Sequence, residues 1–184
     1  MRDIDPSIPD RVRLDEITEA DFLVIRKWFL ASAPETQTCR PLALKTDAEA
    51  LQKFRERKQE DTGRDYAIRR IADDRLLGRI RYFDLNVRNR SAEIGYILDP
   101  DERGHGFAAE ALGLLLKHLF NEKRLNKVYA QTAEFNAASI ALLNRCGFQL
   151  DGRLRQHHEL NGVLFDDLIF SLLAEEHNEL HSSQ

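Results

Sequence analysis

Apolar positions recur along this chain with two different periods, and the period changes wherever turn-forming residues cluster. Val12 and Leu14 alternate with charged neighbours, which predicts a short strand. Thr18 with Asp21 three residues on marks a helix start, and Phe22, Ile25, Phe29 and Leu30 then repeat at helical spacing. A second helix is predicted from Thr46 or Asp47 through Leu51 and Phe54 until Gly63, with a solvated charged face. Tyr66 to Ile71 and Leu76 to Leu85 read as an antiparallel hairpin around Ala72-Asp73-Asp74. Ala92-Glu93-Ile94-Gly95-Tyr96-Ile97-Leu98 forms a mostly apolar strand closed by Asp99-Pro100.

The stripe Ala108, Ala111, Leu112, Leu115, Leu116 and Leu119 then predicts an amphipathic helix to about Asn121. Val128 to Thr132 is the next strand, and a helix from Asn136 carries Ile140, Leu142 and Leu143 before Gly147 ends it. Gln149 to Leu160 and Val163 to Leu173 flank Asn161-Gly162, a dipeptide suited to a primed hairpin turn. The polar tail from Glu175 to Gln184 is expected to fray. The order is β, two helices, three strands, helix, strand, helix and two strands. That predicts one mixed α/β domain over 1–184, with its core between about residues 12 and 173.

Composition narrows the function classes without naming one. An apolar share of 42% and a charged share of 32% are those of a globular protein, and a net charge of −4 gives no reason to expect nucleic acid. Arg79, Arg81, Arg88 and Arg90 could form a basic surface for RNA or a coenzyme phosphate, but charged residues on strand faces and loop tips are usually solvated. Cys39 and Cys146 are far apart, and neither they nor His118, His177 and His181 show metal-ligand spacing, so no metal is expected. Met1 to Asp10 lacks a secretory layout and no apolar run reaches membrane-spanning length, which leaves cytoplasmic as the default location.

The strongest chemical feature is Arg103-Gly104-His105-Gly106-Phe107-Ala108, set between a strand and an amphipathic helix. Small residues there let the backbone approach a pyrophosphate, while successive N–H groups and the helix dipole stabilise its charge. No lysine with serine or threonine follows, as a P-loop needs, and the third Rossmann glycine is missing. The segment resembles the acetyl-CoA motif of the GNAT superfamily, with Arg103, Gly106 and Ala108 at the defining positions. Asn136-Ala137-Ala138-Ser139, followed by Arg145-Cys146-Gly147-Phe148, is similar to its second signature. Gly152-Arg153-Leu154-Arg155, Asn161-Gly162 and Asp166-Asp167 resemble the Rim-type branch, which acetylates ribosomal-protein amino termini, polyamines and other small amines.

The resemblance implies a GNAT fold: a mixed, splayed sheet of about seven strands flanked by about four helices, with acetyl-CoA between two diverging parallel strands. It implies direct acetyl transfer to a primary amine, on a small molecule or a protein amino terminus, and a homodimer as one assembly. In the implied site Arg103, Gly104, His105, Gly106, Phe107 and Ala108 hold pyrophosphate. Leu98 aligns pantetheine through its backbone, Asn136 contacts the same arm, and Ser139 aids thiolate departure. Two candidate bases remain open. Glu93 lies in an otherwise apolar strand, where burial raises a carboxyl pKa. His158, where relatives often carry glutamate, offers an imidazole, a group type suited to accepting the amine proton. Glu159, Asp166 and Asp167 could line a cation-friendly pocket, yet acidic residues after a hairpin are most often exposed, and that is the expectation here. The alternative is a non-catalytic acyl-CoA-binding module that has lost its acid and base.

Overall fold

The computed structural model describes residues 10–36, 38–39 and 45–182; most of the Met1–Asp10 segment read above lies outside them. Its strands are β1 (Val12–Glu16), β2 (Arg64–Arg70), β3 (Leu76–Asn86), β4 (Ser91–Leu98), β5 (Lys127–Ala133), β6 (Gln149–Leu160) and β7 (Val163–Leu173). The helices are α1 (Glu19–Ala31), α2 (Asp47–Lys58), α3 (Phe107–Lys117), α4 (Ala137–Arg145) and α5 (Ala174–Ser182). The strands form one sheet in the order β1-β2-β3-β4-β5-β7-β6. Only β4 and β5 pair in parallel among these neighbours.

Helices α1 and α2 begin as their sequences predict. Thr18 and Thr46 each accept a bond from the backbone three residues on, and Asp21 and Glu49 reach back to complete capping boxes. The second helix stops at Lys58, short of the expected Gly63. Asn161 and Gly162 both take positive φ, 53° and 82°, as a primed turn between β6 and β7 requires.

Alternation along the strands splits the core between two faces. On one face, Ile80, Tyr82, Ile94 and Leu98 pack with Leu112, Leu115 and Leu116 of α3, with Leu119 in the turn just after it, and with Leu143 of α4. On the other, Ala67 and Ile97 pack with Phe22 and Ile25 of α1 and Phe54 of α2, the two phenylalanine rings stacking at 4.6 Å. Burial of each large side chain contributes about 1.5–3 kcal/mol, so both faces anchor the strands between them.

The tail corrects the sequence reading. Residues 174–182 form a fifth helix instead of fraying, because the segment carries a narrow apolar contact within its polar composition. His177 is buried against the Phe120 ring at 4.8 Å. Leu180 sits so close over Gly147 that a Cβ there would lie 2.5 Å from it.

Candidate active site

Parallel pairing of β4 with β5 covers only Ser91↔Lys127, Ala92↔Val128 and Glu93↔Tyr129. Beyond Glu93 the strands part. β4 goes on pairing with β3 through Leu98↔Gly78, and β5 goes on pairing with β7 through Ala133↔Asp167. The edge of β4 from Ile94 to Leu98 therefore faces a gap rather than β5. A cleft of about 890 Å³ fills that gap, lined by Ile94 to Leu98 on one side and Ala130 to Ala133 on the other.

One end of the cleft is the glycine-rich turn, where Arg103, Gly104, Gly106 and Ala108 line the wall. Gly104 and Gly106 have φ of 81° and 87°, and Gly106 starts α3 with no side-chain cap. The first-turn N–H groups of a helix have no intrahelical acceptors, so this start presents open donors of the kind that cradle an anion. A Cβ on Gly104 would meet nothing within 4 Å, which leaves open space over the backbone. Arg11 clamps the turn from β1's leading end: its Nη2 donates to the His105 carbonyl at 3.1 Å, its Nε donates to Glu110 at 2.6 Å, and its guanidinium lies 4.8 Å from the Phe107 ring centroid. The sequence reading missed Arg11, whose partners lie more than ninety positions away. The His105 ring is exposed and Phe107 is buried in the core, so within the cradle these two offer their backbones rather than their side chains.

Asn136 and Ser139 stand where α4 enters the cleft. Asn136 Oδ1 accepts from the Ser139 backbone N–H at 3.2 Å, the helix-cap geometry. Ser139 Oγ lies 2.7 Å from the Tyr96 hydroxyl, and both residues line the cleft. Burial pushes the Tyr96 pKa up to about 12, against the opposing pull of the Ser139 bond, so the phenol stays protonated at neutral pH. Tyr96 was hidden in the sequence as one more strand residue. The available signal was that a tyrosine buried beside a ligand turn needs a partner for its hydroxyl.

Glu93 is 8% exposed and lines the cleft at the last β4–β5 pair. His158 also lines it but is differently engaged. Its Nε2 is 2.8 Å from the Glu35 carbonyl, its Nδ1 is 3.5 Å from Asp167 Oδ1, and the Phe135 ring meets it edge-on at 5.0 Å. Asp167, expected at the surface, is instead fully buried. It accepts from Gln131 Nε2 at 2.8 Å and from the Cys39 thiol at 3.2 Å, because β7 runs between β5 and β6 and turns this side chain inward. Burial first, then Asp167, pushes the Cys39 thiol pKa up. Cys39, His158 and Asp167 thus bring three ligating groups within 4.8 Å of one another, from elements whose sequence spacing gave no metal signature. Arg79 and Arg81, read as solvated, line the cleft as well.

A family model described as the acetyltransferase (GNAT) domain matches residues 11–149. This chain belongs to the GNAT acetyltransferase family. It is an acetyltransferase whose acetyl donor is acetyl-CoA. The N-acetyltransferase p20 of Bacillus licheniformis is 31% identical over 170 residues, covering 90% of this chain and 93% of that protein. The ribosomal-protein-serine acetyltransferase of Escherichia coli is 33% identical over 96 residues, 52% of this chain and 53% of that one. These relatives agree with the Rim-type resemblance. The fold matches that of spermidine N-acetyltransferase from Vibrio cholerae, solved with CoA and spermine, at a TM-score of 0.84 and 21% identity, covering 91% of this chain and 98% of that one. The seven-stranded splayed sheet is the GNAT fold, with five α-helices among the described residues where about four were expected. Among the described residues no helix is long and apolar enough to cross a membrane.

Proposed function

We propose that this GNAT enzyme transfers acetyl directly to a primary amine, on a small molecule or a protein amino terminus, in the gap between β4 and β5. The observation that carries the reading is the loss of β4–β5 pairing immediately after Glu93, with a buried carboxylate where the cleft opens and an uncapped helix start along it. When bound, acetyl-CoA supplies an acetyl group activated as a thioester. The N–H groups from Gly104 to Ala108 and the Arg103 guanidinium hold its pyrophosphate. The edge of β4 ending at Leu98 offers backbone groups to the pantetheine arm, whose amides replace the missing β5 partner. Asn136 caps α4 and touches the same arm.

Glu93 takes a proton from the incoming ammonium, directly or through one water, because only the neutral amine is a nucleophile. The Tyr96–Ser139 pair presents a hydroxyl to the departing thiolate. His158 fastens the turn at Pro34–Thr36 to the sheet, since both ring nitrogens face fixed partners. Self-association belongs to the same reading: a spermidine N-acetyltransferase of Vibrio cholerae is dodecameric, and the β6 edge here leaves Leu150 exposed.

The cradle is tested by Gly106→Val. A branched residue at φ 87° is strained, and its Cβ would come 3.2 Å from Arg11 Nη2, the group that clamps this turn, so the cradle would be disturbed. Calorimetric titration is expected to show coenzyme A binding weakened about tenfold or more, the loss of roughly one or two charge-assisted bonds, in a protein that still unfolds cooperatively. Unchanged affinity in the folded variant would remove the cradle from the account.

A further inference from the structure

The acceptor half of the cleft carries charge that says what else the amine bears, an inference that rests on the amine-acetylating reading above. Among the described residues, the charged side chains lining the cleft, apart from His158, are Arg79, Arg81, Glu93, Arg103 and Arg145. Arg103 belongs to the cradle and Arg145 to α4. The other three share a surface. Register pairs Arg79 with Ile97, Arg81 with Gly95 and Phe83 with Glu93, so Arg79, Arg81 and Glu93 point to one face of the sheet. It is the face on which Ile97 meets α1 and α2, opposite the α3 side. Along that face the two arginines stand roughly 7 and 13 Å beyond Glu93, within reach of their long side chains.

Arg79 shares its described carboxylate with a second arginine. Asp65 serves both, at 3.3 Å from Arg79 Nη1 and 3.8 Å from Arg81 Nε. Among the described residues, Arg79 Nε is buried with no hydrogen-bond partner. Burial first, and the nearby Arg57 guanidinium with it, lowers the Arg79 pKa against the opposing pull of Asp65. The Arg81 guanidinium is held 4.4 Å from the Phe83 ring centroid, which restricts its swing. A part-buried guanidinium whose Nε is unmet is costly until an anion reaches it, and a planar fork suits a carboxylate. A polycation would bring further positive charge to the same place.

We infer that the acceptor is an amine bearing a carboxylate a few bonds from its nitrogen, the carboxylate held by Arg79 with Arg81 while the amine faces Glu93. Two sources offer this chemistry: a free amino acid, and a peptide amino terminus whose first side chain is acidic. Spermidine offers none of it.

The test compares matched acceptors at saturating acetyl-CoA. Phenylalanine is set against phenethylamine, leucine against isoamylamine, and the peptide amide Asp-Ala-Ala against Asn-Ala-Ala, with spermidine alongside. The wild-type enzyme is expected to favour the carboxylate-bearing member about 30-fold or more in kcat/KM, the scale of a desolvated charge pair, in the free amino acids or in the peptides. Which set shows the preference names the source. Arg79→Gln is expected to erase most of that preference with the KM for acetyl-CoA unchanged, and Arg79→Lys to keep part of it. The inference is overturned if neutral partners or spermidine react as well as the carboxylates. It is equally overturned if Arg79→Gln raises the KM for acetyl-CoA alike with every acceptor, which would assign the arginine to the cofactor. Should Arg79→Gln fail to fold, the wild-type preference decides alone. Acetylation of no amine at all, with coenzyme A still bound, contradicts the amine reading itself and takes this inference with it.

Discussion

Glu93→Gln is expected to lower turnover about 100-fold or more while coenzyme A affinity stays within a factor of two or three, the usual contribution of a positioned general base. The substitution keeps the shape of the side chain and removes its basicity, so the loss falls on the chemical step. The carboxylate is buried where β4 and β5 part, at the mouth of the gap that would receive both reactants. His158→Gln is expected to act otherwise. Its ring is held between the Glu35 carbonyl and Asp167, so the variant should lose stability and less than about tenfold in rate, with the pH profile intact. A pH-rate series on both variants checks this. If His158→Gln abolishes the rise of rate through the imidazole range while Glu93→Gln merely melts earlier, the two roles must be exchanged.

The second large effect concerns departure of the thiolate. Tyr96→Phe and Ser139→Ala are each expected to cut kcat about 10- to 100-fold, because each removes one hydroxyl of a pair that meets at 2.7 Å. Whichever hydroxyl reaches the sulfur, the other orients it. The double variant should therefore be no slower than the slower single one, the non-additivity of groups that act as a unit. With its pKa pushed up to about 12 by burial, Tyr96 stays protonated, so the Tyr96→Phe loss should be the same factor from pH 6 to 9. Multiplicative losses in the double variant, or a factor that changes across that range, would show that the hydroxyls act separately.

What the sequence made legible, and what it hid, follows from how far apart the cooperating residues lie. The proposed phosphate cradle is contiguous backbone between Arg103 and Ala108, so a local pattern of small residues before an apolar stripe marked it in the sequence. The α3 stripe and both capping boxes are local in the same sense. The splay could not be read from residues: it depends on where β4 and β5 stop pairing, a long-range register that no local pattern encodes. The Tyr96–Ser139 pair joins positions 43 apart, and the His158–Glu35 contact spans 123. Each residue taken singly looked like strand or cap material. Arg79 and Arg81 misled for another reason. Arginine in a strand is usually solvated, and only the register with β4 reveals that their face lies under α1 and α2. The helix at 174–182 was masked by its polar composition, since one buried histidine and one leucine supply its docking contacts.

The central claim is that the β4–β5 gap performs acetyl transfer to an amine, and counting product against coenzyme A tests it most directly. The wild-type enzyme, given acetyl-CoA and a mixed panel of primary amines and peptides with free amino termini, should release one free coenzyme A thiol for each N-acetylated product found by mass spectrometry. Gly106→Val should fail in the same assay through a raised KM for acetyl-CoA. Tight coenzyme A binding with no acetylated amine in the panel would contradict the account and describe a non-catalytic acyl-CoA-binding module instead.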